Sequence, residues 1–303
     1  MNRQSRRSLN WQSKAILLLV VPWTAISALL QSYWWAGQVP VVALTTVGIS
    51  GIFGLIVWRL RAGTPAAAAT GAAITASLMY STVQFPYTYS WLHSGLLPLL
   101  AVFLVTFAAT RVGKHKKEQL GTGESKRGRN AAQVAANLGV AALVVLPVTI
   151  LASHLIATNA GQWLAFIAAV AALAEAAADT VSSEIGQVLG GTPRMITTLQ
   201  RVEPGTDGGI TVAGTAAGVL AAVLVAIIGI WCVDGNRGLL GSWPVIAVTA
   251  GGGVFGLLFD SLLGAILERR GWLNNDAVNF LSTLSAALFA LAGVIYLASR
   301  VVL

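Results

Sequence analysis

Nine apolar runs, each near the length that crosses a bilayer, restrict this chain to very few architectures. A hydrocarbon core takes about 20 apolar residues per helix. No backbone polar group can stay unpaired there, so such runs must become helices. The runs are Lys14–Trp35, Val41–Leu60, Pro65–Val83, Trp91–Arg111, Ala131–Ile156, Trp163–Glu184, Gly209–Val233, Trp243–Leu267 and Ala277–Ala298. They predict an all-α fold, a polytopic transmembrane helix bundle with about nine spans. Composition agrees: 10% of residues are charged, against roughly 25% in a soluble domain. The single cysteine, Cys232, excludes a disulfide framework and any multi-cysteine metal site.

Charge orients the bundle. An N-terminus inside gives inner segments at 1–14, 59–64, 111–130, 185–208 and 268–276. These carry 17 of the 19 Lys and Arg residues, all but Arg237 and Arg300. The positive-inside rule then predicts a cytoplasmic N-terminus and, with nine spans, an external C-terminus, integral to the cell (inner) membrane. Ser5-Arg6-Arg7 before an apolar run faintly resembles a twin-arginine export signal. Because everything downstream is also apolar, a retained first helix fits better. The net charge of +8 therefore sits on membrane loops and does not call for nucleic acid.

The acidic residues divide the chain. Positions 1–117 contain no Asp or Glu, and all eleven lie between Glu118 and Asp276. Residues 1–303 read as a single membrane domain, since no Pro- or Ser-rich linker interrupts them. Within it, 1–110 is a four-span scaffold, or the lining of a lipid-facing groove, and 111–303 is a five-span catalytic part.

Polar constellations mark the second part. Arg111-Val-Gly-Lys114-His-Lys116-Lys117 and Gly121-Thr-Gly123-Glu-Ser-Lys126-Arg127-Gly128-Arg129 mix glycine with bases. That pattern suits a polyphosphate, through close backbone N–H groups and positive charge. It suits equally an ordinary inner loop on anionic headgroups. Arg129, Gln133 and Asn137 are spaced i, i+4, i+8 and form one helical stripe entering the membrane. Glu175 and Asp179 are one turn apart, with Ser182 and Ser183 beyond them, and Glu184 would join that face only if the helix unwound near Ser183. A carboxylate in hydrocarbon costs about 2.5–3.5 kcal/mol on insertion scales, so it marks a site or a buried ion pair. Such oxygens suit Mg²⁺, which takes one or two carboxylates and fills its shell with phosphate and water.

Further along, Arg194 and Arg201 precede Glu203-Pro-Gly205-Thr206-Asp207-Gly208-Gly209, a glycine-rich turn before a helix. A helix N-terminus favours anions there, although Asp207 could equally be an N-cap. No Gly-Lys-Ser/Thr follows, so this is not a Walker A loop. Asp260-Ser261 adds a third intramembrane carboxylate, with Glu268 at the span edge. Asn275, Asp276 and Asn279 open the last span as ligands or caps. The three histidines are assigned no chemistry.

Intramembrane carboxylates also line transport paths. A path requires polar groups along its full depth, and the outer halves of spans five to nine hold no charge. A cytoplasm-facing catalytic pocket fits better, with phosphoryl or nucleotidyl transfer to an amphipathic lipid as its reaction class.

Six ordered blocks carry a resemblance. They are Gly113-Lys114 with the basic run; Arg127-Gly128-Arg129 through Gln133 and Asn137; Ala178-Asp179 through Ser183-Glu184-Ile-Gly186; Val202 through Gly205-Thr206-Asp207-Gly208-Gly209; Asp260-Ser261 through Gly264-Ala265; and Asn275-Asp276 through Asn279-Phe280. Together these residues resemble the phytyl-phosphate kinase-like family of polytopic membrane proteins, long catalogued as a domain of unknown function. The first four spans match it only as hydrophobic helices. The resemblance implies a kinase converting a prenyl monophosphate (phytyl, geranylgeranyl, farnesyl or a relative) to the diphosphate, with Mg²⁺ and a nucleoside triphosphate, CTP foremost. It implies that Asp179, Lys114, Arg127 and Arg129 carry the catalysis. Glu175, Asp179, Glu184, Asp260 and Asp276 would hold metal. Lys116, Lys117, Gln133, Asn137, Ser183, Arg194, Gly205 to Gly209, Ser261, Asn275 and Asn279 would bind nucleotide or substrate. The alternatives are a cytidylyltransferase making a CDP-lipid, and a lipid or ion transporter.

Overall fold

Helix boundaries in the computed structural model follow local chemistry. It describes residues 9–83, 87, 90–119, 128–147, 161–234 and 238–301. The helices are α1 (Asn10–Gln38), α2 (Pro40–Arg59), α3 (Pro65–Tyr80), α4 (Leu96–Arg111), α5 (Lys114–Gln119), α6 (Ala131–Val144), α7 (Gly161–Leu189), α8 (Val212–Asp234), α9 (Gly238–Leu263) and α10 (Asn275–Val301). Proline occupies the first position of α2 and α3, where its missing N–H would be unpaired in any case. Thr64 caps α3 by accepting from the Ala67 N–H.

The chain is a polytopic helical membrane bundle. Among the described residues, six helices are long and apolar enough to cross a membrane: α1, α2, α7, α8, α9 with its extension to Glu268, and α10. Three helices are shorter than the apolar runs that predict them. The third and fourth runs form the 16-residue helices α3 and α4, about 24 Å long against a hydrocarbon core of ~30 Å. Helix α4 starts at Leu96 rather than Trp91 because Trp91–His93 forms a 3₁₀ turn and Pro98 belongs in a first helical turn. The fifth is helical over Ala131–Val144, and residues 148–156 of that expected span lie outside the described set.

The core sits around α7, whose residues from Ala165 to Ala178 are all buried. This helix packs against α4, α6, α8, α9 and α10. Alanine dominates it, and glycines face it: a Cβ on Gly253 would lie 2.9 Å from Ala174 Cβ, and one on Gly218 would lie 2.8 Å from Ala178 O. Lipid tails offer no hydrophobic drive between helices, so close backbone packing of small residues supplies the attraction. By contrast α1 and α2 expose Leu18, Leu29, Tyr33, Leu44 and Ile52, the apolar surface that a bilayer solvates.

Two connections position the polar end of the bundle. The turn between α2 and α3 pairs with the segment entering α6: Thr64 N–H donates to Arg129 O at 2.9 Å, and Arg129 N–H donates to Ala62 O at 3.0 Å. The start of α1 docks on the α9–α10 turn, with Gln12 Nε2 on Trp272 O and Asn274 Nδ2 on Leu9 O. A short antiparallel hairpin, β1 (Arg194–Met195) with β2 (Gly209–Ile210), follows α7. That pairing removes Gly209 and Ile210 from the expected seventh span, so α8 begins at Val212. Thr211 caps it by accepting from Gly214 N–H, and Asp207 is not the cap.

Candidate active site

The carboxylates come first, because their cost must be offset by something. Glu175 and Asp179 stand one turn apart on α7, and Asp260 on α9 lies close enough to interact electrostatically with both. Glu175 is 1% exposed. Gly256 makes room for it: a Cβ there would meet Glu175 Cγ at 2.5 Å. Ser282 on α10 is within hydrogen-bonding reach of Glu175 and Asp260. Even so, Glu175 Oε1 and Asp260 Oδ2 are buried with no hydrogen-bond partner. Buried, unpaired carboxylate oxygens facing like charge are strongly unfavourable without a cation. Among the described residues no group of three or more His, Cys, Asp or Glu forms a metal cluster by itself. Two carboxylates with phosphate and water are enough for Mg²⁺, and the orphaned oxygens fit such an ion.

The opposing charge is Arg129, whose guanidinium interacts with Asp179 and donates to Thr180 Oγ1 at 3.1 Å. Its backbone is clamped by the α2–α3 turn, and Gly128 beside it adopts φ +70°. Asn130 then opens α6 with a capping box: its Oδ1 accepts from Gln133 N–H while Gln133 Oε1 accepts from Asn130 N–H. Asn137 Nδ2 donates to Gln133 O. The expected stripe of Arg129, Gln133 and Asn137 therefore lies on one wall.

The glycine-rich turn closes another side. Gly205 and Gly208 hold φ of +83° and +78°, a region that side chains disfavour. A Cβ on Gly208 would meet Ala265 at 2.5 Å, and one on Gly264 would meet Gly208 N at 2.9 Å. Helix α9 ends there in a π turn, Gly264–Glu268, a feature often found at functional sites.

These walls enclose a cavity of about 390 Å³. Arg129, Gln133, Asn137, Asp179, Ser183, Glu184, Gly205 to Gly209, Asp260, Ser261, Asn275 and Asn279 all line it. Helix α7 stays helical through Leu189, yet Glu184 still borders the cavity, because the cavity wraps around the end of α7 rather than following one face. Glu175 packs behind the wall.

Other expected residues are placed elsewhere. Lys117 is buried and donates to Glu184 Oε2 at 2.5 Å and to Ala109 and Thr110 carbonyls. Lys116 Nζ donates to Val188 O, and Lys114 pairs with Glu118 at the surface. Arg194 Nη1 holds Leu199 O within its own hairpin. Asp276 accepts from Ser13 Oγ at 2.6 Å and joins α10 to α1. Arg127 lies outside the described residues. Thr180, Gln187, Thr211 and Glu268 also line the cavity and were not among the expected residues. Gln187 was findable, since it continues the i+4 row from Asp179 through Ser183. Thr211 offered only a capping signal before an apolar run.

Known proteins resemble the chain over most of this framework. Residues 42–287 match the family described as integral membrane protein DUF92. The uncharacterized membrane protein MJ0933 of Methanocaldococcus jannaschii is 37% identical over 189 residues, covering 62% of this chain and 71% of that one. The uncharacterized membrane protein sll0875 of Synechocystis is 31% identical over 207 residues, covering 65% and 72%. Protein VTE6, chloroplastic, of Arabidopsis thaliana is 31% identical over 192 residues, covering 62% and 55%. No solved structure matches. With the family match running from α2 into α10 and taking in Arg129, Asp179, the 205–209 turn and Asp260, the chain belongs to the DUF92 family of integral membrane proteins.

Proposed function

We propose that this protein is a membrane-embedded prenyl-phosphate kinase, phosphorylating an isoprenoid monophosphate with CTP or another nucleoside triphosphate at the cytoplasmic face of the cell membrane. The observation that carries this reading is the convergence on one cavity of a guanidinium from the basic segment, carboxylates from two helices and a glycine-rich turn. The six sequence blocks resembling the phytyl-phosphate kinase-like family supply the substrate class.

The acceptor would be a phosphate oxygen, already anionic, so no strong general base is required. Its electron pair forms a bond to the γ-phosphorus. The bond from that phosphorus to the bridging oxygen breaks, and the nucleoside diphosphate leaves with the electrons. Arg129 offsets the charge that brings two anions together, and its fork can grip a phosphate in two places. The Gly205–Gly209 backbone lets N–H groups approach the triphosphate closely, and Gln133 and Asn137 orient it by amide contacts. Mg²⁺, when bound, would neutralise the phosphates and be held by Asp179 and Asp260, with Glu175 as a further oxygen donor. Glu184, already paired with Lys117, is left out of that set.

Purified protein with Mg²⁺, labelled CTP or ATP and a panel of prenyl monophosphates should yield a prenyl diphosphate and a nucleoside diphosphate. Asp179→Asn should abolish that product while leaving a folded protein; undiminished turnover refutes the assignment. Pyrophosphate release with a CDP-lipid product would identify a cytidylyltransferase instead. Substrate movement across vesicles without nucleotide would identify a transporter.

A further inference from the structure

A second and larger cavity, about 770 Å³, lies between α2, α3, α4, α6 and α7. It is as spacious as pockets that enclose a whole small ligand, ~300–1,000 Å³. Phe53, Leu99, Val102 and Phe103 line its apolar part. Arg61, Arg111 and Arg129 border it where α2 and α4 end and α6 begins, and Lys114, paired with Glu118, lines it beside them. Arg111 Cζ stacks 3.3 Å from the Phe107 ring centroid, holding a cation against that wall. Along α4 the lining runs from Leu99 to Arg111, about 18 Å at 1.5 Å per residue, more than half of a ~30 Å hydrocarbon core. Arg129 and Asn137 line both this cavity and the polar one.

An apolar slot with a cationic rim, touching a phosphate-binding cavity through a shared arginine, has the complementarity of one kind of molecule. We propose that this cavity holds the hydrocarbon chain of a single-chain lipid monophosphate, placing the phosphate at Arg129, and that α2 to α4 thereby set chain length. A nucleotide is disfavoured there, because the inner wall offers its base few hydrogen-bonding groups. The proposal rests on the kinase reading for its isoprenoid substrate, yet it makes a claim about binding that stands apart from turnover.

Gly71 gives a clean test. It lines the slot, and a Cβ added there would meet nothing within 4 Å, so the side chain of Gly71→Leu starts into open space and takes up part of the slot. Leucine is also the better helix former. Binding of tritiated geranylgeranyl phosphate and geranyl phosphate to the purified full chain in detergent provides the readout. Wild type should bind the longer chain at least about tenfold more tightly, since each buried methylene adds affinity. Gly71→Leu should lose at least about tenfold for the longer chain, with a smaller loss for geranyl phosphate, and leave CTP binding unchanged. Unchanged affinity for the longer chain overturns the proposal, as does equal displacement by dioleoyl phosphatidic acid. If Gly71→Leu fails to fold, Thr106→Phe on the facing α4 wall carries the same expectations. Chain-length-dependent binding that Gly71→Leu abolishes, with no diphosphate formed, keeps the chain site and removes the kinase. Diphosphate formation indifferent to both substitutions keeps the kinase and removes the chain site.

Discussion

Replacing Lys117 with methionine should destabilise the protein sharply, and the size of the effect follows from what the ammonium touches. Its side chain is 3% exposed, against 18% for Glu184. Nζ sits 2.5 Å from Glu184 Oε2, 3.1 Å from Ala109 O and 2.7 Å from Thr110 O, so it serves a carboxylate and the open end of α4 together. Methionine keeps the length and apolar stem and removes all three bonds. Breaking a buried pair by deleting one partner costs about 3–5 kcal/mol. Glu184 borders the cavity, where water can solvate it in part, which argues for the lower end, about 3 kcal/mol. For a chain of 303 residues, with an unfolding entropy of about 2.1 cal/mol/K per residue, that corresponds to a fall in melting temperature of roughly 5 °C. Thermal unfolding in detergent, followed by circular dichroism or tryptophan fluorescence, measures it. The double variant Lys117→Met/Glu184→Gln should recover most of the loss, because it leaves no unpaired charge. A single variant within about 2 °C of wild type, or a double variant no better than the single, refutes the reasoning. The cycle also decides Glu184's role: a metal ligand at this position would make Glu184→Gln insensitive to Mg²⁺, whereas an ion-pair partner leaves the response to Mg²⁺ intact.

Three further outcomes follow from the same geometry. Mg²⁺ with CTP should raise the melting temperature of wild type and not of Asp260→Asn; without Mg²⁺ that variant should melt higher than wild type, because a neutral amide relieves the like charge facing Glu175 and Asp179. A shared Mg²⁺ response would remove Asp260 from the metal set. Gly208→Ala should cut turnover at least about tenfold, since a non-glycine residue in a strained backbone region costs about 1–3 kcal/mol and its Cβ would press on Ala265; full activity would show that the turn does not shape the site. Arg129→Lys keeps the charge and loses the fork, so kcat should fall by about a hundredfold with the melting temperature nearly unchanged, and wild-type kcat would exclude phosphate gripping.

Much of the architecture was legible because lipid imposes a coarse rule: apolar length predicts helices, and α1, α2, α7, α8, α9 and α10 all fall on predicted runs. The carboxylates were legible for the same reason, since Glu175, Asp179 and Asp260 are costly in hydrocarbon and stand out from alanine and leucine. The stripe Arg129, Gln133 and Asn137 followed from helical spacing alone. What escaped was whatever depended on tertiary partners. Lys117 reads in the sequence as a nucleotide or substrate contact from a basic loop, yet it is buried on Glu184, and nothing local distinguishes it from Lys116. Asp276 read as an opening ligand of the last span, but its partner, Ser13, lies at the other end of the chain. The start of α8 moved from Gly209 to Val212 because β1 and β2 pair, a contact that two-residue strands do not announce. Gly71 carried no signal at all; only the empty space opposite it gives it meaning.

The division of the chain into an acid-free first part and an acidic second part also changes meaning once Arg129 is placed. Its side chain faces Asp179 and Thr180 on α7, while its backbone is held by Ala62 and Thr64 in the turn between α2 and α3. The first part therefore sets where the Arg129 backbone stands relative to the acidic helices. The same arginine borders the apolar slot built by α2 to α4. A change in how that slot is filled would therefore be felt at the polar cavity through a residue common to both. On the proposed reading, the acid-free helices would select the lipid and place Arg129, and the acidic helices would act on what is presented to them.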